Sequence, residues 1–171
     1  MSDNPFAPPK SHVEDSDKTQ KPGSIWKGVV IGIVVDIVGT TGGVIVISIV
    51  YMTLNLTPDM TPTEIEGISA KFSAELANFS SIWGLSGVVV GLGMSLLGGY
   101  ICAIFAKERW KKAAVIYGVI LAIYGLYLGK DYSTIGENIS LSILTFIVIY
   151  LGGWLREGRH ENQGSKTVNV E

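Results

Sequence analysis

The sequence predicts an all-α membrane protein, with four transmembrane helices in a bundle and one amphipathic interfacial helix in the first outward loop. Three observations carry this prediction. Hydrophobic residues make up 47% of the 171 residues and charged residues only 16%, against about 25% charge in an ordinary soluble domain. The apolar residues are collected into four long runs that are almost free of charge. The basic residues lie mostly on one side of those runs, the asymmetry that orients chains in bilayers.

Residues 1–24 are polar, with Pro5, Pro8, Pro9 and Pro22 and an acidic patch at Glu14, Asp15 and Asp17. Residues 157–171 are polar again. Neither segment can bury enough apolar surface to offset its chain entropy, so both are expected to be disordered cytoplasmic tails flanking a membrane domain over 25–156.

Within that domain the expected spans are 28–52, 82–106, 113–129 and 139–155. The first is interrupted only by Asp36, and the other three carry no charge. A bilayer core about 30 Å thick needs roughly 17 to 25 helical residues, which all four runs supply. Hydrocarbon offers no partner to a backbone N–H or C=O, so each run should pair its own as a helix. The many β-branched residues do not indicate strands, because a barrel strand needs only about 10 residues and alternates in polarity. A soluble bundle is set aside, since helices apolar all round belong to membranes or to very large cores.

The loop over 107–112 holds Lys107, Arg109, Lys111 and Lys112, Arg156 and Arg159 follow the fourth run, and Lys21 and Lys27 precede the first. The two opposite loops carry only Lys71 and Lys130, against six acids: Asp59, Glu64, Glu66, Glu75, Asp131 and Glu137. The positive-inside rule therefore places both termini in the cytoplasm. Trp26, Trp110 and Trp154 are expected as interfacial anchors on the inner side, and Tyr51, Trp83 and Tyr132 on the outer side.

The first outward loop has a helix start at Thr61-Pro62-Thr63-Glu64, with Thr61 as N-cap, Pro62 in the first turn and Glu64 placed for a capping box. Ile65, Ile68, Phe72, Leu76 and Phe79 then recur every three or four residues. An amphipathic helix over about 62–77 follows, lying on the outer interface or capping the bundle. Such a helix serves either as a partner-binding lid or as a connector that hides its own apolar face.

Glycines mark the helix contacts. Gly28 and Gly32, Gly39 and Gly43, and Gly87 and Gly91 are pairs four apart, and Gly98-Gly99 lie near the end of the second run. Small residues at this spacing let helices approach closely in lipid. They serve packing within one bundle, assembly of a homo-oligomer, or both.

Asp36 is the one acid inside a run. It lies about eleven residues from the inner edge, roughly 16 Å at 1.5 Å per residue. The same count along the other runs reaches Ser95, Tyr124 and Thr145, and Thr40 sits one turn from Asp36. These residues define an expected mid-membrane polar layer. No Lys, Arg or His lies at that depth, and burial there favours the neutral carboxyl. Asp36 is read either as a proton- or cation-responsive site or as a hydrogen-bonding link between helices.

Several function classes are excluded by composition. A net charge of -2 is wrong for nucleic-acid binding. One cysteine, Cys102, and two distant histidines, His12 and His160, leave no metal site and no nucleophile beside a base. No cofactor motif is present, and an enzyme is not expected. The lipid bilayer is the one partner the sequence identifies; it specifies no protein partner. A non-catalytic structural or regulatory membrane component is the leading expectation, and a small oligomeric transporter or channel the alternative.

The tail Asn4-Pro5-Phe6-Ala7-Pro8-Pro9 resembles the opening of many small bacterial membrane proteins. Asp36-Ile37-Val38-Gly39-Thr40, together with Leu97-Gly98-Gly99-Tyr100-Ile101-Cys102-Ala103 leading to the basic loop, resembles uncharacterised four-span families of the bacterial inner membrane. Those families often carry alanine where this chain has Cys102. The resemblance implies four spans in a bacterial plasma membrane and brings no activity with it.

Overall fold

The computed structural model describes residues 23–130 and 134–167, and among them every regular element is helical. The helices are α1 (Ile25–Asn55), α2 (Pro62–Ala77), α3 (Ile82–Ala106), α4 (Trp110–Gly129) and α5 (Ile135–Thr167), with a 3-10 turn at Lys107–Arg109 between α3 and α4. Most of the tail expected over 1–24, with Pro5 and His12, lies outside the described residues, as do Asp131 and Tyr132.

Three of the expected spans are longer in the structure, α1, α4 and α5, and capping chemistry sets the starts of α1 and α5. Ser24 caps α1 by accepting a hydrogen bond from the Lys27 N–H at 3.4 Å. α1 ends at Asn55, three residues before Pro58, whose ring disfavours helix in the residue before it. α5 begins at Ile135 rather than 139. Glu137 accepts hydrogen bonds from the Thr134 N–H at 2.9 Å and the Thr134 hydroxyl at 2.8 Å, which organises an extra turn. α3 coincides with its expected run.

Past 157, where polar composition leads to an expected disordered tail, α5 continues to Thr167. The span has already nucleated the helix, each further residue adds a bond at little cost, and no proline interrupts the chain between 135 and 167.

Three stretches are long and apolar enough to cross a membrane: Ile25–Asn55, Ile82–Gly129 and Ile135–Glu157. The middle one does not run straight. Lys107 adopts φ 50° and ψ -122°, and the chain reverses so that Tyr117 of α4 lies against Gly98 of α3. Lipid-like exposure is plain on α1, where Val30, Val34, Val38, Ile45 and Ile49 are each more than half exposed. Water would not tolerate such a continuous apolar face.

The helices are packed unequally along their length. At the end bearing the basic turn, Val29, Cys102, Ala103, Ala106, Trp110, Ala113, Ala114, Tyr117 and Ile149 form one buried cluster. Most of these are small. Gly99 and Gly152 bring α3 and α5 into backbone contact, a Cβ on Gly99 striking the Ile149 carbonyl and one on Gly152 the Leu96 carbonyl. Toward the α2 end a cavity opens beside Gly87, Gly91 and Gly125. There α2 lies against α1 and α3, with Phe72 buried on Tyr51 at a ring distance of 4.8 Å and Tyr51 edge-on to Trp83 at 5.1 Å.

Two expected anchors are therefore core residues. Trp110 is 2% exposed, against Gly153 and the Tyr150 ring, and Tyr51 is equally buried. Trp26 and Trp154 do project outward.

Candidate functional site

Gly28, Gly32, Asp36 and Thr40 recur every four residues and so share one face of α1. The glycines press that face against α3. A Cβ on Gly28 would stand 2.6 Å from the Cys102 carbonyl oxygen, and one on Gly32 would stand 3.0 Å from that of Gly98. Farther along, Gly39 accommodates the Met94 thioether and Gly43 the Val90 side chain. This close approach carries Asp36 into the helix interface, where it is 5% exposed.

Three hydroxyls converge on the Asp36 carboxyl. Thr40, one turn on, donates to Oδ1 at 3.2 Å. Ser95 of α3 donates to Oδ2 at 3.0 Å, and Tyr117 of α4 donates to the same oxygen at 3.1 Å. A carboxylate accepts about four hydrogen bonds, and described residues supply three of them.

Tyr117 is the partner that counting along the sequence misses. The count located Tyr124, seven residues farther along the same helix, because it compared backbone levels. A tyrosine hydroxyl sits far from its own backbone. Here Gly32 and Gly98 clear its path: a Cβ on Gly98 would strike the Tyr117 hydroxyl, and one on Gly32 would lie 3.3 Å from its ring. The pairing of Gly32 and Gly98 around a tyrosine was the signal available in the sequence.

Of the expected polar layer, Asp36, Thr40 and Ser95 are brought into bonding contact. Tyr124 and Thr145 are not among the carboxyl's partners. They line the wall of a cavity of about 500 Å³ that begins at Asp36 and Ser95 and runs toward the α2 end. Thr40 and Thr41 add hydroxyls on the α1 side, while Val44, Val88, Leu92 and Leu121 make the rest largely hydrocarbon. Leu76 of α2 and Phe79 just beyond it reach the far side of the cavity.

The glycine positions divide in the same way. Gly28, Gly32, Gly39, Gly43, Gly98 and Gly99 sit at close contacts, and Gly87 leaves room for Leu76, 3.0 Å from where its Cβ would be. Gly91 is different. It lines the cavity, nothing lies within 4 Å of its Cβ position, and it packs no helix.

The arrangement is a buried acid at the floor of an apolar chamber, closed below by tight packing and bordered above by α2. It can hold a molecule and present a carboxyl to it. No family model matches the chain, and neither a curated protein nor a solved structure matches it.

Proposed function

We propose that this chain is a four-span protein of a bacterial plasma membrane, with both termini cytoplasmic, that acts without catalysis by receiving another molecule in the outward half of its bundle. The fold at Lys107–Arg109 supports four crossings, because it divides the Ile82–Gly129 stretch into two antiparallel helices. The basic residues of that turn support its cytoplasmic placement. The bacterial setting rests on the resemblance of the N-terminal tail and of the motifs around Asp36 and Gly98. α2 then belongs at the outer membrane interface.

The observation that carries the functional reading is the asymmetry of the bundle. The cytoplasmic half is closed by glycine and alanine contacts, and the outward half carries the partly open cavity above Asp36. A structural or regulatory component that docks a small molecule needs no second opening. The intramembrane carboxyl at the cavity floor also favours a second reading, a small oligomeric transporter, which would require the closed half to open in turn.

Single cysteines in a Cys102→Ala background separate the two. Val88→Cys, in the cavity, is expected to react with a polar maleimide added outside. Ala113→Cys, 0% exposed in the closed half, is expected to resist reagent from either side. Reaction of Ala113→Cys from the cytoplasmic side would overturn the static reading in favour of transport. The mass of the detergent-solubilised particle tests self-association.

A further inference from the structure

We propose that the cavity binds an organic monocation, a hydrophobic amine whose ammonium group sits on Oδ1 of Asp36 while its apolar body fills the chamber above. This rests on the outward cavity of the preceding section and names what it would take.

The geometry brings the carboxyl to the cavity. Among the described residues Oδ2 accepts two hydroxyl donors and Oδ1 accepts one, from Thr40, and Asp36 borders the cavity. An N–H donor arriving through the cavity would complete the carboxyl. It would also form a charge-assisted bond in a medium that strengthens it.

Charge selects the same class. Among the described residues around the cavity, Asp36 is the one acid, and there is no Lys, Arg or His. Its titratable neighbours are Tyr117 and Tyr124 from α4 and Cys102 from α3, and α5 presents Thr145 and Leu141. None supplies a cation. The segment over 55–81, whose Leu76 and Phe79 line the cavity, carries Asp59, Glu64, Glu66 and Glu75 against Lys71, a balance that favours cations over anions on that side.

The walls favour an organic cation over a hard metal ion. A hard metal cation needs a full shell of oxygen ligands, and beyond Asp36, Ser95 and the hydroxyls near them the lining is mostly hydrocarbon, with Val44, Val88, Leu92 and Leu121. A volume of about 500 Å³ falls in the usual range for small organic ligands, roughly 300 to 1,000 Å³. An anion or a zwitterion would place negative charge beside the carboxyl.

The test uses the full chain in lipid nanodiscs and a matched pair of probes, fluorescent dansylcadaverine and its uncharged N-acetyl derivative. Empty nanodiscs give the lipid background. Saturable binding of the amine is expected, displaced by octylamine, with the acetylated probe weaker by about thirtyfold or more. Asp36→Asn should abolish that preference.

Because Asp36→Asn also disturbs the bundle's hydrogen bonds, Gly91→Leu provides a second arm. It leaves the carboxyl untouched, suits a helix better than glycine, and fills the cavity, so amine binding should be lost from a particle that is still monodisperse. The proposal is overturned if the wild type shows no saturable binding or binds both probes alike. It is equally overturned if Asp36→Asn keeps the preference or Gly91→Leu binds the amine as the wild type does. Any of these results alongside outward labelling of Val88→Cys would remove the amine and leave the outward cavity standing.

Discussion

Tyr117 reaches Asp36 only because two glycines stand aside, and both halves of that statement can be tested one residue at a time. Tyr117→Phe keeps the ring and its packing but removes the donor. In membrane interiors such bonds contribute modestly, so a loss of about 1 kcal/mol is expected, read as a lower thermal midpoint in detergent. The glycines should separate into two groups. Gly99→Ala drives a methyl group into the Ile149 carbonyl and should cost about 1 to 3 kcal/mol through overpacking. Gly42→Ala meets nothing within 4 Å and should stabilise its helix by about 0.5 to 1 kcal/mol. Lys107 occupies a backbone region natural to glycine. Lys107→Gly should therefore raise stability by about 1 kcal/mol, with the α3–α4 reversal unchanged.

At the scale of elements, α2 depends on its first turn, because its N-terminal half is exposed and only Phe72 is fully buried. The Thr61 N–H donates to Glu64 at 2.7 Å and the Thr61 hydroxyl at 2.8 Å, and these bonds hold the Glu64 carboxyl below the usual carboxylate range. A group whose folded-state pKa is depressed supports the fold above its unfolded value and withdraws that support as pH falls through the folded one. Amide exchange in the first turn of α2 should therefore quicken as pH drops below about 4, after correction for intrinsic rates, and Glu64→Gln should remove most of that pH dependence. This capping box was fully legible in the sequence, as was α3, because both are written in local residue order. The continuation of α5 beyond 157 was not, since it depends on a helix already formed upstream. Tyr51 and Trp110 were misread as interface anchors for a related reason: an aromatic at the end of an apolar run can face lipid or a neighbouring helix, and only the packing decides.

For the whole molecule, the decisive feature is where small residues lie along the bundle. Toward the basic turn Gly98, Gly99, Gly152 and Gly153 each meet atoms of a neighbouring helix closely, whereas Gly91 and Gly93 toward the α2 end meet nothing within 4 Å and leave open space. Each residue was visible in the sequence. The cavity was not, because its existence depends on four helices being aligned at once. The same alignment gives Asp36 its setting. Counting depth along the other runs reaches Ser95, and helical spacing reaches Thr40, while the third partner comes from side-chain reach and not from depth. The exposed apolar faces of α1, α3, α4 and α5 then have one consistent meaning, contact with lipid.

The most direct measurement is labelling of single-cysteine variants by a membrane-impermeant maleimide on intact spheroplasts, in the Cys102→Ala background. Ser69→Cys on α2 and Gly136→Cys at the start of α5 should react before lysis. Lys112→Cys beside the basic turn should react only after the membrane is opened. Labelling of Lys112→Cys from the same side as Ser69→Cys and Gly136→Cys would contradict the four-span arrangement, and recovery of the chain from the detergent-free supernatant would contradict lipid as its solvent.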